Sequence, residues 1–161
     1  MKNIVSLLCL IFTFCLNAQV DGVGINTQDP KSTLDINGNL SLKVVGYNGG
    51  PGGSATPIDD GIYLNLSPTS GNIEFILPDA TTVPGRIYIA RNISDSVDAV
   101  IYSFGFVAGQ GNGVEFFPGD SRVSVKSVTM AADIGNDGGD PTKTLVFVSD
   151  GSNWTYGQLG F

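Results

Sequence analysis

Short runs of β-branched and aromatic residues recur along the chain and are separated by Gly, Pro, Asn and Asp, while helical periodicity is nearly absent. The runs predict β-strands at Leu40–Val45, Gly61–Leu66, Asn72–Leu77, Arg86–Arg91, Ala99–Phe104, Gly113–Phe117, Arg122–Met130, Thr144–Ser149 and Asn153–Tyr156. One run follows another about every 8–12 residues, which is typical of all-β folds. We therefore predict an all-β protein whose main part is a β-sandwich of jelly-roll-like form.

Two segments of the predicted strands, Ala99–Tyr102 and Leu145–Val148, carry apolar residues on both faces. A strand of this kind lies either in the middle of a sandwich or beneath a neighbouring chain. The second arrangement is a serious alternative here, because a domain of this size has only a limited core of its own. Both arrangements stay open at the level of the sequence.

The distribution of Gly and Pro predicts how the chain is organised. Residues 46–57 hold five Gly and two Pro and have few apolar side chains, which predicts a flexible linker. Residues 58–161 then form a head of ordinary domain size. Residues 19–45 are too few to enclose a core. We expect this N-terminal segment to assemble with other chains or to dock onto the head.

The N-terminal segment Met1–Ala18 has the pattern of a secretory signal peptide. Lys2 supplies the positive start, Ile4–Leu16 form the apolar run, and Ala18 is a small residue before the expected cleavage site. The apolar run is shorter than the ~20 residues of a membrane span, and a retained anchor helix is the alternative. We expect a secreted or cell-surface protein with no membrane span after signal removal.

Composition restricts the chemistry of the mature chain. The sequence has 8 Lys and Arg against 15 Asp and Glu, a net charge of −7, and no His. Nucleic acid is therefore not an expected partner, because phosphate binding needs clustered Lys and Arg. Cys9 and Cys15 both lie in the apolar run of the signal. The mature chain would thus contain neither a disulfide nor a catalytic thiol.

Carboxylates do not form a recognisable catalytic pair in the sequence. Asp59 and Asp60 come directly before Gly61, which predicts a turn. Glu74 and Glu115 would act as a glycosidase pair only with their carboxyls about 5–9 Å apart. The usual place for such residues is the solvent-facing side of a strand. We predict that the protein is not an enzyme.

An acidic segment near the C-terminus is the best candidate for a metal site. Asp133, Asn136, Asp137 and Asp140 lie close together in the sequence and offer the hard oxygen ligands that Ca²⁺ prefers. The segment departs from an EF-hand loop, because no helices flank it and Thr144 stands where the bidentate Glu belongs. The alternative is an acidic loop between two strands. No other cofactor is expected.

Trp154 and Tyr156 lie on one face of the last predicted strand. If the two rings were exposed, they would stack on the apolar faces of sugars, so they are the candidate ligand-binding residues. The alternative is that they pack in the core or at an interface between chains. The first alternative predicts a carbohydrate-binding, lectin-like β-sandwich.

Two stretches near the start of the mature chain resemble the shaft of phage tail-fibre-like proteins and bacterial surface fibre proteins. They read VGINTQDP at Val23–Pro30 and LDINGNL at Leu34–Leu40, against a family pattern of V-G-I-G-T-x-x-P and then L-x-V-x-G. Asn26 stands where the family has Gly, and Asn tolerates the left-handed backbone that Gly permits. The resemblance implies short strands and turns within an intertwined trimeric shaft.

The later part of the chain is similar to β modules that accompany such fibres. The matching stretches are LPDA at Leu77–Ala80 and SDGSNW at Ser149–Trp154, and the second also predicts a tight hairpin. The resemblance implies an exported structural or adhesive surface protein, assembled as a homotrimer, with a surface glycan or another cell-surface component as a further partner. The signal peptide favours a cellular protein over a virion protein, since virions assemble in the cytoplasm.

N-terminal sequencing of exported protein tests the signal peptide. We expect the mature chain to begin at Gln19, because Ala18 provides the small residue before the cut. Finding Met1 on the mature protein would contradict this prediction and support the anchor helix.

Overall fold

The computed structural model describes residues 22–105, 114–132 and 141–159. The predicted signal peptide therefore lies outside the described residues, as does the acidic segment with Asp133, Asn136, Asp137 and Asp140. The chain divides into two compact units, Met1–Ser41 and Leu42–Phe161. In the described residues all regular structure is β-strand, apart from two short 3-10 helices, Ala80–Thr82 and Pro141–Lys143.

The first unit contains one pair of short parallel strands, β1 (Val23–Ile25) and β2 (Leu34–Ile36). Asn26, which follows β1, has φ = 57°, in the left-handed region that the position requires. Its side-chain amide donates to the carbonyl oxygen of Asn37 at 3.0 Å. This bond and the strand pairing hold β1 and β2 side by side.

The second unit contains two β-sheets. Its strands are β3 (Val44–Asn48), β4 (Gly50–Pro51), β5 (Thr56–Pro57), β6 (Tyr63–Ser67), β7 (Asn72–Ile76), β8 (Ile87–Asn92), β9 (Ala99–Tyr102), β10 (Phe116–Pro118), β11 (Ser127–Met130), β12 (Thr144–Ser149) and β13 (Trp154–Gln158). One sheet has the order β10-β13-β12-β8-β6-β3. The other has the order β11-β9-β7-β4, and β5 also pairs with β7.

The chain winds from one sheet to the other, and each circuit pairs in parallel with the one before it. The paired residues are Val44 with Tyr63 and Thr56 with Phe75 in the first step, and Tyr63 with Ile89 and Phe75 with Ile101 in the second. In each step, the number of residues between the two paired positions is the same in both sheets. This number is larger in the second step than in the first. Equal steps in both sheets keep the two layers in register.

The predicted all-β class and the two-layered arrangement are confirmed. The connections, however, are not those of a jelly roll, which is built from antiparallel strands in Greek keys. Here β3, β6 and β8 are mutually parallel, as are β7 and β9. Antiparallel pairing joins β12 to β8 and to β13, and β11 to β9. The molecule is a sandwich whose central strands are wound as a coil.

One hydrophobic core lies between the two sheets. Its largest fully buried side chains are Trp154, Tyr88, Phe75, Phe116, Phe147, Ile58, Leu64, Leu66, Leu77, Ile101 and Met130. The buried amide of Asn92 on β8 donates to the carbonyl oxygens of Met130 and Ala131 at 3.1 and 3.3 Å. Since Met130 ends β11, this amide ties the six-stranded sheet to the five-stranded one.

The predicted SDGSNW hairpin is present. It connects β12 to β13, with Gly151 at φ = 89°. The side-chain oxygen of Asp150 accepts hydrogen bonds from the backbone N–H groups of Ser152 and Asn153, at 2.8 and 2.7 Å. Asp and Gly therefore perform the turn-forming roles for which they are favoured.

The prediction of a flexible linker at residues 46–57 needs correction, because these residues contribute to β3, β4 and β5 of the two sheets. The division between the units falls after Ser41 instead. The glycines serve close packing. A Cβ at Gly49 would lie 2.1 Å from the carbonyl oxygen of Asn72, and a Cβ at Gly50 would lie 2.0 Å from that of Ser54. High Gly content here reflects tight backbone contacts, which resemble a linker in composition alone.

Two truncated chains test this correction. Residues 42–161 should fold, because they contain every strand of both sheets. Residues 58–161 lack β3, β4 and β5, so the edges of β6 and β7 and part of the core lose their cover. We expect the shorter chain to be less stable by about 3 kcal/mol or more, as expected when one or two large apolar side chains become exposed. Urea unfolding followed by circular dichroism measures the difference, and equal stability would restore the linker.

Candidate functional site

The outer face of the six-stranded sheet is apolar along two neighbouring rows of side chains. One row consists of Val44, Tyr63, Ile89 and Val146, and the next of Ile87, Val148, Thr155 and Phe117. On the other strands these residues alternate with buried ones and therefore face outward, and Val44 shares that face through its pairing with Tyr63. We call the apolar members of both rows the outer patch: Val44, Tyr63, Ile87, Ile89, Phe117, Val146 and Val148.

Several side chains of the outer patch are open to solvent. Val44 is 59% exposed, Ile87 46% and Val148 38%, while Tyr63, Ile89, Phe117 and Val146 are half-buried. A third row of side chains, formed by Asn65, Arg91 and Thr144, borders the patch on one side and is polar. A contiguous apolar patch beside polar residues is typical of a surface that another molecule covers.

The two apolar faces predicted for Leu145–Val148 have different surroundings in the structure. Leu145 and Phe147 point inward and are buried, whereas Val146 and Val148 belong to the outer patch. β12 is therefore central within its sheet, but its sheet is an outer layer of the sandwich. The outward face of this strand is apolar and only half-buried or exposed, so cover by a neighbouring chain stays an open alternative.

The first unit presents an apolar surface of its own. Val23 pairs with Leu34 and Ile25 with Ile36, so the four side chains share one face of the small sheet. Val23 is 62% exposed, Leu34 56% and Ile25 51%. No residue of β1 or β2 is buried. This strand pair thus lacks a core among the described residues of its unit.

The structure places the two predicted ligand-binding aromatics on the inward face of β13. Trp154 is fully buried, its indole N–H donates to the carbonyl oxygen of Pro78 at 3.1 Å, and its ring lies 5.6 Å from that of Tyr88. It therefore belongs to the core and cannot stack on a sugar. Tyr156 is half-buried, stacked 5.8 Å from Phe147 and edge-on to Phe116 at 6.2 Å.

Tyr156 lines a cleft at one end of the sandwich. The cleft has a volume of about 600 Å³. One side is formed by β13 and the turn after β10, and the other side is formed by β11. Asp120, Ser127, Thr129 and Gln158 also line it. Sequence reasoning found Tyr156 but missed Asp120 and Gln158. No local pattern marks them, because β10 and β13 are far apart in the chain and meet only through parallel pairing.

The remaining carboxylates have structural contacts. Asp60 pairs with Lys43, and the hydrogen bond from that lysine holds the pKa of Asp60 below its ordinary value. Asp60 also accepts from the backbone N–H of Gly61 at 2.7 Å, as the predicted turn requires. Glu74 lies on β7, whereas Glu115 precedes β10 of the other sheet, and Glu74 accepts from the N–H of Gly53 at 2.8 Å. Their positions do not indicate a catalytic pair.

Among residues 22–105, 114–132 and 141–159, no three His, Cys, Asp or Glu side chains come together as a metal site would require. The same ranges contain no helix with the length and hydrophobicity needed to cross a bilayer. Calcium binding by the acidic segment stays a prediction.

Ionisation of Tyr156 should reduce the stability of the folded protein at alkaline pH. Burial, and then the charge of Asp120, raise the pKa of Tyr156 above 10.0, so the folded state favours its protonated form. The stabilisation is complete below the unfolded pKa of about 10 and is lost as the pH rises through the folded value. We expect Tyr156→Phe to lose less stability than the wild type between neutral pH and pH above 10, as measured by urea unfolding. An equal loss in both proteins would contradict this assignment.

Comparison with known proteins identifies no relative of this chain. No protein-family model, no curated protein and no solved structure matches it. The resemblance of Val23–Leu40 to fibre shafts stays a prediction from the sequence. A functional assignment must therefore come from the surfaces of the molecule, of which the outer patch, the apolar strand pair and the cleft are the distinctive ones.

Proposed function

We propose that this chain is an exported, non-enzymatic structural or adhesive protein that assembles with copies of itself through apolar β-surfaces. The observation that carries the proposal is the outer patch, where Val44, Ile87 and Val148 are all more than one-third exposed on one sheet face. Burying such a face against other copies of this chain removes it from water. The occupants that we propose for the outer patch are thus further copies of this chain.

The energetics favour an assembly that uses both apolar surfaces. Complete burial of an aliphatic side chain contributes about 1.5–3 kcal/mol, and the patch residues are already partly buried. Association costs about 4–15 kcal/mol in lost translational and rotational freedom. The outer patch alone therefore supports weak association. The strand pair β1–β2 supplies a second surface, with Val23, Ile25 and Leu34 exposed, while the entropy of association is lost only once for each chain.

We propose that three chains assemble. The support is the resemblance of Val23–Leu40 to the shaft of trimeric fibres, together with the lack of a core around β1 and β2 in the described residues. A two-stranded sheet is marginally stable by itself in water. Equivalent strand pairs from three chains would enclose the apolar face that one chain leaves open.

Export and a non-enzymatic role have separate support. The segment Met1–Ala18 has the signal-peptide pattern, which favours a position outside the cell or on its surface. The chain has no His, and both of its Cys lie in the predicted signal, so acid–base chemistry by histidine and thiol chemistry are lacking from the mature sequence. A protein that only displays rigid β-surfaces needs neither histidine nor cysteine chemistry.

Light scattering coupled to size-exclusion chromatography tests the assembly. We expect residues 19–161 to elute with the mass of a trimer at micromolar concentration. Ile87→Lys together with Val148→Lys should reduce the mass, because two charges would be buried at the interface. Residues 19–161 lack Lys2 and carry a net charge of −8, which the added Lys makes less negative, so a loss of assembly would not result from greater overall repulsion between the chains.

The matched control is Val123→Lys. Val123 is 73% exposed and lies between β10 and β11, outside both sheets. This variant should assemble like the wild type, and circular dichroism should show that all variants are folded. A wild-type protein that stays monomeric, or an outer-patch variant that assembles as well as the control, would overturn the proposal.

A further inference from the structure

We propose that the cleft beside Tyr156 binds a neutral saccharide. The cleft lies at the end of the inward face of the six-stranded sheet, on the other side of that sheet from the outer patch. Its volume of about 600 Å³ is within the usual range of about 300–1,000 Å³ for small-molecule sites. The inference does not rest on self-assembly, because a single chain supplies all the residues named.

Tyr156 provides a rigid aromatic surface in the cleft. Its ring is stacked on Phe147, with an angle of 23° between the ring planes, and meets Phe116 edge-on at 86°. These contacts fix the ring before any ligand arrives, so little conformational entropy is lost on binding. The ring is half-buried and lines the cleft. Sugars present C–H faces that pack on such a surface.

Polar groups of several kinds surround the same space. The Asp120 carboxylate accepts hydrogen bonds and the Gln158 amide both donates and accepts, and both residues line the cleft. Asp120 is held beside the tyrosine, because the N–H of Gly119 donates to the carbonyl oxygen of Tyr156 at 2.8 Å. A few mixed donors and acceptors next to an aromatic ring match a ligand with several hydroxyl groups.

The charge of the cleft indicates which saccharides fit. Among the described residues no Lys or Arg lines the cleft, whereas Asp120 does. The charge of Asp120 reaches Tyr156, since together with burial it raises the pKa of that hydroxyl. An acidic sugar would meet this negative charge without a compensating cation. The ligand class is therefore neutral saccharides.

The floor of the cleft is apolar and supports the same class. Val128 and Leu145 are buried and lie at the base of the cleft, one from each sheet. Water molecules next to such a floor make few hydrogen bonds, so their displacement by the C–H face of a sugar favours binding. The polar residues named above stand around this floor, so the cleft has an apolar base and a polar margin.

Saturation-transfer NMR on residues 19–161 tests the inference. The probes are glucose, galactose, mannose and N-acetylglucosamine, with glucuronate as the acidic counterpart and choline as a cationic one. We expect at least one neutral sugar to receive saturation, and glucuronate and choline to receive none. The double variant Asp120→Asn with Gln158→Ala should bind that sugar about tenfold more weakly, as expected when two hydrogen bonds are weakened or lost.

The variants separate binding from folding and from assembly. Asp120 and Gln158 are exposed, so their substitution should leave the fold intact, whereas Tyr156→Ala would disturb the packing against Phe116 and Phe147. Ser152→Ala, in the exposed turn between β12 and β13 and outside the cleft, is the matched control and should bind like the wild type. No transfer to any neutral sugar, preferential binding of glucuronate or choline, or equal binding by the double variant would overturn the inference. The mass in solution should be the same for all these proteins, so failure of the saccharide site is distinguishable from failure of self-assembly.

Discussion

The structure of the second unit depends on the parallel pairing of each circuit of the chain with the one before it. In the six-stranded sheet this pairing sets Leu64 beside Ala90, and in the five-stranded sheet it sets Phe75 beside Ile101. All four side chains are fully buried in the single core. Because side chains alternate between the two faces of a strand, a shift by one residue would expose them. Equal steps in both sheets are what allow one core to be enclosed from two sides.

The same register creates the two surfaces to which we assign functions. Once the inward rows are buried, their neighbours on β8 and β12, such as Ile87 and Val148, must face outward and form the outer patch. At the end of the sandwich the inward row of β13 reaches the cleft at Tyr156. The surface that we propose for self-assembly and the site that we propose for a saccharide thus lie on opposite faces of one sheet. A protein built in this way could be covered by its own copies on one face and still bind a ligand through the other.

Several features were predictable because local chemistry controls them. The strand at Asn72–Ile76 agrees with its prediction to within one residue, since its alternating pattern is clear. The SDGSNW turn forms as predicted, because Asp150 and Gly151 satisfy it with their own atoms. The structure of residues 46–57 was not predictable from the sequence. Abundant Gly is equally typical of a mobile linker and of backbones in close contact, and only the contacts distinguish the two. Trp154 and Tyr156 lie on one face of β13, as predicted. The sequence did not show whether that face points into the core or toward solvent.

The sequence by itself determined that the chain is all-β, which residues share a face of each strand, and that β12 is apolar on both faces, because these properties depend on neighbours one or two positions away. Only the tertiary structure decided which face is inward. That choice requires a second sheet to pack against, and it put Trp154 in the core and Val148 on the outside. Only the tertiary structure brought Asp120 and Gln158 to the cleft of Tyr156. Their proximity results from pairing between β10 and β13, a contact between distant parts of the chain for which short-range patterns carry no information.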